Sequence, residues 1–505
     1  MPADIPSSPP LPRPRQEATR RLKVRVLDPV DAVRRGDRRL TPTTYTGDAL
    51  LLTCSSGREH QRLMRALRKS LDGSYKVDCE CIDPPEHECA RSYRVRFVPV
   101  AERVDSGVDA WRLLQHTLNG QPSLDPHLAL NHVMSAADPY WDPVPYWDPV
   151  PYWDPVPYGS SVAFGGRALQ GLAEYGGAGI GGRTPVVWQA PDPRLHTRRP
   201  RRAPLVAVVD TGLGIHPWFP RSDPDIERWD PLVPDLAVDA DDTGIVDHLT
   251  GTVGPLAGHG TFIAGVIRQC SPHARLLSVP VLGADGIVEE WLVHAALRRL
   301  LHRQRRALAH GRHDELIDVL CLSIGYYDED EHGLGADTAL GKLLSELADL
   351  GISVVAAAGN SAVADRFYPA GLGHHHDQPV PDEGPPPLVS VGALNPDGRS
   401  IALFSNDGVW VSTHRIGAAV VSTVPTALQG GLSPTVIIGN RSTVDRDNFS
   451  SGFAIWSGTS FAAPVVAAQI ATALTRDPEW LGGATGPDPA RRAVASVLSV
   501  PGTQP

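Results

Sequence analysis

From Leu205 onward the chain alternates short apolar runs of β type with stretches of helical spacing, and this alternation restricts the fold more than any other feature. The reading gives strand 205–209, helix from about 260, strand 276–282, helix 289–309 and strand 316–324, then helix 338–350, strand 352–358 and strand 388–394. Leu340, Leu343, Leu344, Leu347 and Leu350 keep the three-and-four spacing of a helix with one buried face. Val319-Leu320-Cys321-Leu322 lacks polar alternation, as expected of a strand covered on both sides. Strands and helices in turn imply a doubly wound, mostly parallel α/β sheet. Ligands of such sheets bind beyond the carboxyl ends of the strands.

Four polar residues fall at that rim. Asp210 ends the run Leu205-Val206-Ala207-Val208-Val209, and Asn360 follows the run 352–359. His259, in Gly258-His259-Gly260-Thr261, opens one helical pattern. Ser460, in Ser457-Gly458-Thr459-Ser460-Phe461-Ala462-Ala463-Pro464, opens another, with Pro464 read as part of its first turn. A helix start favours negative charge, which suits a serine that attacks a carbonyl. Each residue alone has a plainer role: helix cap for Ser460, turn former for Asp210, core histidine for His259, loop cap for Asn360.

Taken together, the signatures Asp210-Thr211-Gly212, Gly258-His259-Gly260-Thr261 with Ala264-Gly265, and Gly458 to Pro464 resemble those of subtilisin-family serine proteases. The resemblance covers about residues 203–475. It implies Ser460 as nucleophile, His259 as general base, Asp210 as its orienting partner and Asn360 as oxyanion donor. Supporting matches at 281–286, Leu322-Ser323-Ile324-Gly325, Tyr368-Pro369-Ala370 and Leu403-Phe404-Ser405-Asn406 extend it. By the same resemblance, Leu282, Gly283, Ser323, Ile324, Gly325, Ala357 and Gly359 would hold a protein or peptide substrate. Small residues at Gly325 and Ala356-Ala357-Ala358 would leave room for a side chain. The chain departs from the family at Tyr326-Tyr327, and the acidic run Asp328-Glu329-Asp330-Glu331 suggests basic side chains near the cut, or else a solvated loop. No cofactor is required by the resemblance; calcium is often bound in the family, with no ligands assignable here. An inactive protease fold that binds peptides or acts as a scaffold stays open as the alternative.

At 505 residues, more than one domain is expected. Residues 1–42, Pro-rich and then Arg-rich, read as a disordered tail. Residues 43–135 give strand 48–53, helix 59–71, strands 75–82 and 92–100, helix 108–118 and strand 128–134, a βαββαβ ferredoxin-like order. This module loosely resembles the propeptides that assist and inhibit subtilisins, so intramolecular inhibition is an expectation. Residues 136–202 form a linker in which Tyr-Trp-Asp-Pro-Val-Pro occurs three times between Tyr140 and Pro157, an extended spacer. Self-cleavage within this linker is a further expectation. Residues 476–505 read as a C-terminal tail with at most one short helix, and 430–448 as a long polar loop.

The formal charge of −10 gives no pull toward nucleic acid, and the N-terminal arginines are only a charge cluster. No apolar run is long enough for a membrane span and no signal peptide is recognised, so a cytoplasmic location is expected. The six cysteines are few, which favours reduced thiols. Cys79, Cys81, His87 and Cys89 have unusual spacing for zinc, and two strand cysteines beside a loop are the simpler reading. The run His374-His375-His376 reads as a flexible loop, and no metal is assigned.

Overall fold

The structure, a computed structural model, describes residues 21–33, 40–71, 73–81, 91–100, 108–136, 182–232, 245–247, 249–330 and 337–499. The hexamer repeat, His87 and Cys89 lie outside the described residues. In the first 136 residues, Val24–Leu27 (β1), Thr43–Cys54 (β2), Gly57–Ser70 (α1) and Tyr75–Glu80 (β3) are followed by Arg91–Pro99 (β4), Ala110–Gly120 (α2) and Leu128–Ala136 (β5). Ser56 starts α1 by accepting Glu59 N–H, while Glu59 bonds back to Ser55, so free N–H groups at both sides of the boundary are met. The strands lie in the order β5-β2-β4-β3, every pair antiparallel. Leu50, Leu52, Leu67, Phe97 and Leu114 share one apolar core between this sheet and its two helices.

The expected tail is partly structured. β1 pairs with β2 from Val24↔Thr46 to Leu27↔Thr43, and Leu22, Val24 and Leu27 are buried. Their apolar character is masked in the sequence by the interleaved Lys23 and Arg25, whose charged ends reach Asp48 and Asp109.

The remainder begins with Thr184–Pro185 (β6), Leu205–Asp210 (β7), Ile226–Arg228 (β8), Ile245–Asp247 (β9), Thr252–Val253 (β10) and His259–Cys270 (α3). Next come Arg275–Pro280 (β11), Ile287–Glu289 (β12), Glu290–Ala309 (α4), Val319–Leu322 (β13), Ile324–Tyr327 (β14), Ala339–Asp349 (α5) and Ser353–Ala357 (β15). Phe367–Tyr368 (β16), Val389–Leu394 (β17), Thr413–Ile416 (β18), Val420–Thr423 (β19), Ile437–Ile438 (β20) and Arg441–Ser442 (β21) follow. Phe453–Trp456 (β22), Thr459–Leu474 (α6), Pro478–Leu481 (α7) and Pro487–Leu498 (α8) are the last elements of the described residues. Seven strands form one parallel sheet, β18-β17-β15-β13-β7-β11-β8. With its helices this is the α/β fold read from the alternation. The chain leaves β7 toward β11 on one side and returns to β13 on the other, so the winding reverses at the strand that ends in Asp210.

Three boundaries differ from expectation. The single strand 316–324 is two strands broken at Ser323, whose side chain turns to the start of α6. Residues 476–499 are not a tail: Trp480, Ala493, Val494 and Val497 join the main core. The end of the linker is docked as well, because β6 pairs with β22 and the Arg183 guanidinium is buried on Gly254 O at 2.7 Å and on Pro255 O. The 430–448 loop carries the small β20–β21 hairpin.

The two parts of the chain meet along β5. Its first half pairs with β2; its second half enters between two edges of the α/β part. Val133, Met134 and Ser135 pair antiparallel with Glu289, Val288 and Ile287, while Ser135 and Ala136 pair with Gly325 and Ile324. Ala136 N also donates to Gly286 O at 3.2 Å. Among the described residues no helix is long and apolar enough to cross a membrane.

Candidate active site

Asp210 reaches the rim because β7 ends there, and His259 because α3 begins opposite. Gly258 holds φ at +83° immediately before His259, a left-handed conformation that glycine adopts without strain. Gly260 lets the two loops close: a Cβ there would stand 2.2 Å from Gly212 O. Gly260 N donates to Thr211 Oγ1 and Gly214 N to Thr261 Oγ1, both at 2.9 Å, so the loops are stitched in both directions. The result is a 2.8 Å hydrogen bond between His259 Nδ1 and Asp210 Oδ1, with both side chains 1% exposed. Thr211 N donates to the same carboxylate oxygen at 2.8 Å.

Ser460 is the second residue of α6. Phe461, next to it, and Trp456, at the end of β22, both touch the imidazole: the His259 ring centroid is 5.5 Å from Trp456, edge-on, and 5.3 Å from Phe461. Pro464 is the sixth residue of α6 and not part of its first turn, a correction that exposes a compensation. A proline there has no N–H for the carbonyl four residues earlier, which is that of Ser460. Ser323 Oγ donates to Ser460 O instead, at 3.1 Å. The side chain that breaks the predicted strand thus completes the helix start.

Asn360 lies past the carboxyl end of β15. Its Oδ1 accepts Thr459 N–H at 2.8 Å, which turns the Nδ2 end away from that contact. Gly359 N donates to Thr459 Oγ1 at 3.1 Å. The loop after β15 is therefore tied to the helix start by two bonds, one in each direction.

The residues expected to hold substrate divide. Ile324 and Gly325 form an edge that accepts an antiparallel strand, β5. Leu282 and Gly283 do not: Leu282 N is bonded to Asp210 O and Gly283 O closes a turn onto Gly286 N. The paired edge falls a few residues later, at Gly286 to Glu289. Ala357 is buried in the sheet opposite Val391, and Gly359 serves the helix start as above. Within the acidic run, of which Glu331 lies outside the described residues, Glu329 meets the N-terminal module: its Oε2 is 2.7 Å from His132 Nε2, and Thr41 N donates to Glu329 O. Trp456 was not anticipated, because no spacing rule marks an aromatic that touches a site only after folding.

Cys79 Sγ lies 3.3 Å from His60 Nε2. Among the described residues no group of three or more His, Cys, Asp or Glu side chains could hold a metal ion, so no calcium or zinc site is assigned.

A buried carboxylate–imidazole pair and a serine at a helix start, beyond the strand ends of a parallel sheet, are the residue types a serine hydrolase uses. A model described as the subtilase family matches residues 201–493, and the chain belongs to that family. This makes it a serine-type endopeptidase. Subtilisin BL of Lederbergia lenta is 27% identical over 275 residues, 54% of this chain and 77% of that protein. Subtilisin Savinase of the same organism is 26% identical over the same shares. An alkaline protease of Alkalihalobacillus alcalophilus is also 26% identical, but only 55% of its length is spanned. Among solved structures, fervidolysin of Fervidobacterium pennivorans, described as a keratinolytic enzyme related to subtilisin, aligns over 88% of this chain and 56% of its own at 17% identity. With a TM-score of 0.42, that likeness carries no argument.

Proposed function

We propose that the chain hydrolyses peptide bonds through an acyl-enzyme formed on Ser460. Ser460 Oγ bonds to the substrate carbonyl carbon as its proton passes to Nε2 of His259. The oxyanion is held by Asn360 Nδ2 and the Ser460 backbone N–H. His259 then gives the proton to the leaving amine as the C–N bond breaks, and water repeats the sequence on the ester. Asp210 fixes the tautomer of His259 and stabilises its charged form. The observation that carries this reading is the 2.8 Å His259–Asp210 contact, which leaves Nε2 as the ring atom on the opposite side from the carboxylate.

In the form described, the N-terminal module inhibits this site in the same chain. Its last strand lies antiparallel on Ile324–Gly325 and on Ile287–Glu289, as an extended peptide substrate would, and Ser460, His259 and Asp210 are at most 1% exposed. Release follows a cut by the chain itself in the 136–202 linker. Intact-mass spectrometry of the purified wild type and of Ser460→Ala tests both statements. The expected result is a severed wild type that hydrolyses peptides and a full-length, inert variant; identical full-length species that cleave nothing would contradict the reading.

A further inference from the structure

The slot beside Ser460 is bounded by two backbone walls. Residues 323–325 continue from β13 and 357–360 from β15, which are parallel neighbours. Both walls are tied to the start of α6, one through Ser323 Oγ and the other through Gly359 N. A peptide that lies along Ile324–Gly325, as β5 does, and presents its carbonyl to Ser460 must send the side chain of that residue between the walls. At this level both walls are glycine, Gly325 and Gly359, which gives the slot its width.

That width is occupied by Phe367. A Cβ on Gly325 would stand 2.5 Å from Phe367 Cε1, and a Cβ on Gly359 would stand 3.1 Å from Phe367 Cδ1. One ring therefore touches both walls. The ring is held from behind. Phe367 pairs with Tyr327 across β16 and β14, and the Tyr327 ring lies against it at 5.2 Å between centroids. Tyr327 OH accepts Asn406 Nδ2 at 2.9 Å, and Asn406 in turn bonds Ala358 O, Ser361 N and Val363 N. Phe367 is 4% exposed, so it cannot swing aside without displacing a packed core.

On the reading of Ser460 as nucleophile, we infer that Phe367 is a specificity-determining residue: it closes the slot, so that the residue on the acyl side of the cut bond must be Gly, Ala or Ser. Inserting bulk into a filled space forces side chains off their rotamers and shifts backbone. A single methylene in an apolar pocket already changes rates by about 10–200-fold, and a benzyl group adds far more than one. On this inference the room expected for a side chain is filled by the Phe367 ring, and Glu329, one of the acidic residues expected to favour a basic side chain, is engaged by His132 instead.

The test compares labelling of Ser460 in the purified wild type, severed in its linker as proposed above, by alanyl and phenylalanyl diphenyl phosphonates, single-residue probes whose side chain must enter this slot. The wild type is expected to react with the alanyl probe at least about tenfold faster. Phe367→Gly should narrow or reverse the ratio, and Phe367→Leu should fall between. Equal or faster wild-type reaction with the phenylalanyl probe overturns the inference, whether or not the variants fold. Absence of any adduct on Ser460, with a simple fluorophosphonate as well, would overturn the nucleophile reading and the inference with it.

Discussion

His132, on the last strand of the N-terminal module, and Glu290, at the first position of helix α4, meet at 2.7 Å between Nδ1 and Oε2 across the junction of the two parts. The other ring nitrogen of His132 is 2.7 Å from Glu329 Oε2, and the ring stacks on Tyr326 at 4.1 Å. Burial opposes a charge on this imidazole, but the carboxylates of Glu329 and Glu290 outweigh it, and its pKa stands well above the ordinary value. Glu290 is buried too, yet the charge of His132 and bonds from His132 and His294 hold its carboxyl well below the usual range. Burial, then Glu329, push the neighbouring Asp328 up to about 7.

Docking of the module should therefore weaken as pH rises. A histidine whose folded pKa is raised contributes fully below its unfolded value of about 6.5, and that contribution is lost as pH climbs through the folded value. Asp328 acts in the same direction, since its buried carboxyl takes on charge as pH passes about 7. The check is the rate of fluorophosphonate labelling of Ser460 in His132→Gln relative to wild type. The ratio, which cancels the titration of His259, should be well above one near pH 6 and approach one at alkaline pH. A ratio independent of pH would contradict the role of His132.

Asn360→Ala should lower kcat by about 10²–10³, the typical loss on removing one oxyanion donor, with KM little changed. Steady-state kinetics on a single peptide decide it. An equal rise in KM with kcat preserved would mean that Asn360 acts in binding.

Ser323→Ala removes the donor that replaces the missing N–H of Pro464 at Ser460 O. The expected cost is about 1–3 kcal/mol, because a buried acceptor loses its hydrogen bond. Activity should fall more than stability alone accounts for, since the start of α6 carries Ser460. Pairing the variant with Pro464→Ala, which restores a backbone N–H, should recover part of both, as read by thermal unfolding and peptide hydrolysis.

Arg183→Met takes a buried guanidinium from Gly254 O and Pro255 O and from its place 4.9 Å over the Trp456 ring. Loss of charge-assisted bonds to buried carbonyls costs about 3 kcal/mol. Trp456 lies against His259, so labelling of Ser460 should slow as well as the melting temperature falling.

The rim of the site was legible in the sequence because each polar residue stands where regular structure ends. Asp210 closes an apolar strand, Asn360 follows one, and His259 and Ser460 open helices within short runs of small residues. What was not legible depends on contacts between distant segments. Nothing local in Val133 to Ala136 says that this strand leaves β2 for the edges at Ile287 and Ile324. Phe367 looks like any core aromatic until Gly325 and Gly359 are brought to either side of it. The break at Ser323 is not visible locally, because the partner of its side chain, the Ser460 carbonyl, lies more than a hundred residues away.

The most direct measurement is mapping of a fluorophosphonate adduct by peptide mass spectrometry on the wild-type chain and on His259→Ala. The account predicts an adduct on Ser460 of the wild type and its near-complete loss in the variant. An adduct on another residue, or labelling of Ser460 that is indifferent to removal of His259, would contradict it.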